Sequence, residues 1–348
     1  MADDVRSDEQ RFPFAFTGSA GEYFRIWIVS LCLSLLTIGV YSAWGKVRKR
    51  RYLYAHTSLD GTGFDYRASP LAILRGRVIA LTLFGGLALA GHFVPVVQLV
   101  LIALLLLLAP WIVVAAARFN ARNSTYRNIA FAFDAGVAEA ARVFIGGALV
   151  ALVTLGLAYP WYRARRARFI VAHHRYGASQ FATDLRTRGF VLTYLFAGLM
   201  TIGAFALLGV TAQGIAFLAR RSAADVEPST AGYLIALVTY AIYIAVYGYV
   251  RARTLNLMAN ATTIGSLRLG GTLRARRLAW LYLSNIIAVL STLGLATAWA
   301  TIRVARYRAE NLIARANAPL ESFVAGAQAQ IGATGSEVSD LFDVDVSL

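Results

Sequence analysis

Three stretches of the chain carry residues able to do chemistry, and the three match position by position. The first holds Thr37, Gly39, Trp44, Arg48 and Arg51; the second Thr154, Gly156, Trp161, Arg165 and Arg168; the third Thr292, Gly294, Trp299, Arg303 and Arg306. An aromatic follows the last Arg in each (Tyr52, Phe169, Tyr307), and four residues on stand His56, His173 and Asn311. So many positions aligned three times mark an internal repeat. The chemistry such a set supports is recognition of an anion. Guanidinium groups fork onto phosphate or carboxylate oxygens, and an indole ring four residues earlier on the same helical face can hold the nearer cation.

Other chemistries lack their residues. No Gly-rich phosphate loop, nucleophile elbow or pair of catalytic carboxylates is present, which argues against an enzyme. No Asp or Glu falls in the middle of an apolar segment, where a proton-coupled pump would need one. The matching His56 and His173 invite a metal reading. However, the third copy has Asn311 there, and no Cys or carboxylate recurs alongside, so the expectation is hydrogen bonding and no metal or cofactor. Cys32 is the lone cysteine, so no disulfide framework exists.

The elements that must position these residues are membrane elements. The chain has 348 residues, is 58% hydrophobic with mean hydropathy +0.58, and is only 15% charged, well below a soluble domain. Residues 78–117 read as two spans divided near Gly91 to Pro95, and two more spans run about 190–217 and 232–250. Each motif segment adds an apolar stretch ending at its Trp. Within it, Thr hydroxyl back-bonding and Gly predict a bend, reinforced in the second copy by Pro160. Short alternating pieces such as Phe12 to Gly18 and Asp60 to Tyr66 suggest small strands. The expectation is an all-α polytopic membrane protein, four firm transmembrane helices plus three re-entrant or spanning motif segments, with small β pieces at the cytoplasmic face. The domain plan is a disordered 1–11, one membrane domain over 12–320 with repeats at about 12–66, 127–183 and 262–320, and an acidic, mostly disordered tail over 321–348.

Charge chooses the topology. The net charge is +16, nearly all of it Arg, with Lys46 and Lys49 the only lysines. Seven alternating spans would divide the 34 Lys and Arg almost evenly between the two sides. If the motif segments instead enter and leave on one side, only Arg220 and Arg221 fall on the other, the bias expected of cytoplasmic loops. Trp then belongs at the headgroups and the Args at lipid phosphates. The basic surplus is thus a membrane signal and not a nucleic-acid footprint.

Phe14 to Gly18, then Leu36 to Tyr41, Trp44, Val47, Arg48, Arg51 and Tyr52 resemble the signature of the YjgN-like family, bacterial inner-membrane proteins with a domain of unknown function. In the second copy Ala158 holds the place of Tyr41, and the third, with Ala296 and Thr297, has diverged further. The resemblance covers about 12–320 and implies a multi-pass inner-membrane location, with no established activity. The reading drawn from the residues is a non-enzymatic module with cytoplasmic termini that engages anionic lipid, or a cytoplasmic protein partner or second copy, through its Arg/Trp face. The alternative is a transporter or channel for a small anionic solute, suggested by the repeat and its Gly-broken segments.

Overall fold

The computed structural model describes residues 10–93, 95–222, 228–317, 319–321 and 323–325. Two rings stack on one axis. The lower is a closed antiparallel barrel of ten short strands: β1 Gln10–Phe16, β2 Thr57–Leu59, β3 Thr62–Tyr66, β4 Ser124–Tyr126, β5 Ile129–Phe133, β6 His174–Tyr176, β7 Ser179–Thr183, β8 Thr262–Ile264, β9 Leu267–Gly271 and β10 Leu312–Ala316. Neighbours in sequence are neighbours in the barrel, and β1 closes it between β10 and β2.

This barrel corrects the all-α expectation. Strands were foreseen as small separate pieces, but they join into one closed sheet and leave no edge. Four two-residue turns build one end of it. Asp60-Gly61 and Arg127-Asn128 have positive φ at both residues, and Gly177 and Gly265 have it at the first. These are the two primed turns that match the twist of adjacent strands.

The barrel interior is lined with apolar side chains. Register places Phe14 opposite Leu59, Phe64 opposite Tyr126, Phe131 opposite Tyr176, Phe181 opposite Ile264, and Leu269 opposite Ala314. All ten belong to one hydrophobic core. Ten strands enclose more space than eight, whose own side chains just fill the lumen. The segment after β10 fills the surplus: Leu320, Phe323 and Val324 join the same core, and the Phe323 ring stacks on Tyr176 at 5.8 Å. Leu320 therefore plugs the barrel from the tail and is not a strand residue. Of the expected disordered ends, Gln10 and Arg11 lie in β1, while 1–9 and 326–348 fall outside the described residues.

The upper ring is helical: α1 Ala20–Leu36, α2 Ser42–Ala55, α3 Pro70–Phe93, α4 Pro95–Arg122, α5 Val137–Ala141, a π-helical turn Arg142–Gly146, α6 Gly147–Val153, α7 Tyr159–Ala172, α8 Thr187–Ser222, α9 Pro228–Asn260, α10 Ala275–Ser291 and α11 Thr297–Glu310. Each helix packs on its neighbours in chain order, and α11 closes on α1. The helices form five hairpins, and the chain returns to the barrel between them. Three are the motif hairpins α1/α2, α5–α6/α7 and α10/α11. The other two, α3/α4 and α8/α9, are long and apolar enough to cross a membrane. Gly248 lets α9 approach α10 closely, since a Cβ there would lie 2.6 Å from the Ala279 Cα.

Each returning helix packs on the strand that rises next: α2 on β3, α4 on β5, α7 on β7, α9 on β9 and α11 on β1. At these junctions sit five satellite cores, including one where Tyr23 and Tyr52 meet Ala298 and Ile302 across the α1–α11 seam. Both limbs of every motif hairpin thus end at the barrel.

Candidate functional site

The Thr–Gly element reverses the chain completely. The Thr37 hydroxyl donates to the Leu33 carbonyl (2.7 Å) and accepts from the Tyr41 amide (2.9 Å). Thr154 does the same with Val150 and Ala158, and Thr292 with Ala288 and Ala296. One side chain thereby gives a carbonyl of the rising helix a second donor, beside the Thr's own amide, and satisfies an amide at the start of the returning one. Between them Ile38, Leu155 and Leu293 (φ 49, 50 and 51°) and Gly39, Gly156 and Gly294 (φ 88, 88 and 94°) take the left-handed conformation. The tips are apolar and bare: Ile38, Leu155 and Leu293 are 95, 94 and 96% exposed. In water such residues would be a liability; in acyl chains they are at home.

The returning limbs α2, α7 and α11 carry the cations. Arg165 lies over the Trp161 ring at 5.3 Å and Arg303 over Trp299 at 4.3 Å. In the first copy Trp44 stacks on Tyr41, and Arg48 donates to the Tyr41 hydroxyl at 3.3 Å. The later copies have alanine at Tyr41's place, and there the cation turns to the indole. Arg303 also donates to Ser284 (3.1 Å) and Asn285 (2.9 Å) on its partner helix.

The second Arg of each copy binds the protein itself. Arg51 donates to the Tyr66 carbonyl (3.3 Å), Arg168 to the Thr187 hydroxyl (2.5 Å) and Arg306 to the Gly18 carbonyl (2.9 Å). Each acceptor lies where the chain rises into the next hairpin. These three residues, read from sequence as lipid contacts, tie one hairpin to the next.

His56, His173 and Asn311 share one task. His56 Nδ1, His173 Nδ1 and Asn311 Nδ2 each lie 2.8 Å from the carbonyl four residues back, capping α2, α7 and α11. Asn reproduces the Nδ1 contact, so the third copy tolerates it. The far nitrogen reveals what the sequence reading missed. His173 Nε2 is 3.0 Å from Glu139, and His56 Nε2 is 3.9 Å from Glu22. A carboxylate does recur alongside these histidines, 34 residues upstream in both copies, on the rising limb. Its signal was that equal separation; the third copy has Arg277 at the matching place and hid it. No group of three or more metal-ligating side chains occurs among the described residues.

The three copies do not converge. The first and third hairpins are neighbours through α1 and α11, whereas the second stands between α4 and α8. Around the second lies a pocket of about 340 Å³ lined by Glu139, Arg142, Arg165, Arg168, Phe169 and His173. On the barrel, ion pairs link Asp60 to Arg127, Asp65 to Arg67 and Asp134 to Arg175. The Arg67 guanidinium hydrogen-bonded to Asp65 holds its carboxyl below the usual range.

Comparison with known proteins places this architecture. The model of a family of bacterial proteins of unknown function, DUF898, matches residues 11–341. The chain belongs to the DUF898 family. It is 24% identical to inner membrane protein YjgN of Salmonella typhimurium over 278 residues, 76% of this chain and 66% of that protein. It is 30% identical to inner membrane protein YjgN of Escherichia coli K12 over 127 residues, 35% of this chain and 31% of that one. The chain thus spans less than two thirds of the length of these relatives. No solved structure matches. With the four apolar helices, these relatives make this DUF898 chain an inner membrane protein.

Proposed function

We propose that the protein is a non-enzymatic membrane module that holds anionic lipid against the returning limbs of its motif hairpins. The observation that carries this is the pairing, within one hairpin, of a bare apolar tip with a cation-rich limb. Leu155 at the tip is 94% exposed, while Arg165 lies on α7 below it. Tips of this kind lower the hairpin into acyl chains, and the returning limb brings guanidinium groups to phosphate depth. The barrel and its surplus of cations face the cytoplasm, leaving only Arg220 and Arg221 on the far side.

The other reading, passage of a small anionic solute, gains no support from the barrel axis. Phe14, Phe64, Phe131, Phe181, Leu320, Phe323 and Val324 occupy it.

The test is lipid retention by the detergent-solubilised protein, measured by native mass spectrometry with phosphatidylglycerol and phosphatidylethanolamine in equal amount. The triple variant R48Q/R165Q/R303Q is expected to lose the preference for phosphatidylglycerol several-fold. An unchanged preference overturns the proposal.

A further inference from the structure

The second motif hairpin differs from the other two in ways that all fall on one spot. Its rising limb is broken by the π-helical turn Arg142–Gly146, where α1 and α10 run as uninterrupted α-helix. Bonding from i to i+5 widens a helix, and single π turns concentrate at functional sites. Here the widened turn and α7 face each other across the pocket of about 340 Å³. That volume is at the small end of ligand sites, the size of a headgroup and not of a whole lipid.

Two of the three cations in this pocket are uncommitted. Among the described residues the Arg142 side chain makes no hydrogen bond or ion pair, and the Arg165 side chain makes only its stacking contact with Trp161. Arg168 gives one hydrogen bond, to Thr187, and its Nε is sealed from solvent with no partner. The single carboxylate, Glu139, is engaged by His173 at 3.0 Å. Three guanidinium groups against one carboxylate leave a surplus of two positive charges. The third hairpin has no such reserve: Arg303 is committed to Ser284 and Asn285, and Trp280 stands where Arg142 would be.

Depth also fits. Arg142 lies five residues above the start of α5 and Arg165 seven above the end of α7, hence about 8 and 10 Å on the membrane side of the barrel rim at 1.5 Å per residue. Phe169 and Val143 supply an apolar wall beside the cations.

We propose that this pocket is a binding site for a phosphomonoester dianion. Its charge of nearly two and its three terminal oxygens match two free guanidinium forks and a surplus of two better than a singly charged phosphodiester does. This deepens the anionic-lipid reading and rests on it. The dianion can arrive on a lipid or as free inorganic phosphate, and the two sources are separable.

The experiment is calorimetric titration of the purified, detergent-solubilised protein with inorganic phosphate, short-chain phosphatidic acid and short-chain phosphatidylglycerol. Phosphatidic acid is expected to bind at least tenfold more tightly than phosphatidylglycerol. Arg142→Gln and, independently, Arg165→Gln are each expected to weaken it about tenfold. Inorganic phosphate bound as tightly, with the same dependence on Arg142, supports the site with free phosphate as its ligand; binding of phosphatidic acid alone supports a lipid. Equal affinity for the two lipids, or phosphatidic acid binding indifferent to both Arg142 and Arg165, overturns the pocket. If phosphatidylglycerol retention is at the same time lost in R48Q/R165Q/R303Q, the general reading survives that failure.

Discussion

Glu139 Oε2 sits 3.0 Å from His173 Nε2, joining the rising and returning limbs of the second hairpin at the barrel rim, and Glu22 and His56 repeat the arrangement at 3.9 Å. The two pairs differ in what else holds the carboxylate. In the first copy the Tyr52 hydroxyl donates to Glu22 at 2.8 Å; in the second that position is Phe169, which donates nothing. Glu22 therefore keeps a partner when its histidine is removed, and Glu139 does not. A double-mutant cycle of E139Q and H173A, followed by thermal unfolding in detergent, is expected to give a coupling of about 0.5–1 kcal/mol, as for partly exposed ion pairs. The cycle of E22Q and H56A should give clearly less. Equal couplings would show that the Tyr52 hydroxyl does not matter.

Replacing Gly39, Gly156 or Gly294 by alanine isolates a backbone cost. All three have φ near +90°, and an added Cβ would meet nothing within 4 Å. Steric loss within the protein is thus absent, and the penalty is that of a left-handed residue with a side chain, about 1–2 kcal/mol. The three substitutions should lower stability by the same amount to within a few tenths of a kcal/mol, read as melting temperature. One outlier would reveal that its tip packs against something in the membrane.

Tyr176 makes the barrel sensitive to alkali. Its buried hydroxyl donates to the Tyr126 carbonyl at 3.0 Å, and burial, with Tyr126 beside it, pushes the phenol up to about 12 from an ordinary 10.0. Between those values the unfolded chain has released a proton that the fold keeps. The stabilisation is therefore complete below pH 10 and is lost as pH rises through 12. Phe323→Ala uncovers the ring, so the phenolate absorbance attributable to Tyr176, identified by difference from Tyr176→Phe, should move down toward the ordinary range. An unmoved titration would mean that Phe323 is not what shields it.

The membrane half of this fold was legible because hydrophobic runs declare themselves locally. The spans about 190–217 and 232–250 emerge as α8 and α9, and the Thr–Gly–Trp repeat marks all three motif hairpins. The barrel was not legible, because no stretch of sequence contains it. Strands such as Thr57–Leu59 and His174–Tyr176 are three residues long, too short to show alternation, and acquire partners only across helical excursions. Phe14, Phe64, Phe131 and Phe181 are one layer of one interior, a relation visible only once the register is known. At the candidate site the spacing found Arg165 and Arg168 but missed Arg142 and Glu139, which come from the opposite limb. Spacing was also silent on the hydrogen bonds that Arg51, Arg168 and Arg306 give to hydroxyl and carbonyl groups of the next unit.

Closure of the barrel through β1 has a consequence for biosynthesis. β1 begins at Gln10 and its partner β10 at Leu312, so the first strand leaves the ribosome some 300 residues before the strand that seals it. At about 5–20 residues per second, the nascent chain carries two unsatisfied sheet edges for roughly 15–60 seconds. During that time four hairpins of strands and five of helices are already made. Until β10 is made, β1 and the most recent strand remain open to pairing with another copy. Leu320, Phe323 and Val324, which follow β10 in the chain, are also the stopper of the lumen. A ribosome that stalls late releases a protein already in the membrane, with an unsealed sheet and an uncorked aromatic interior.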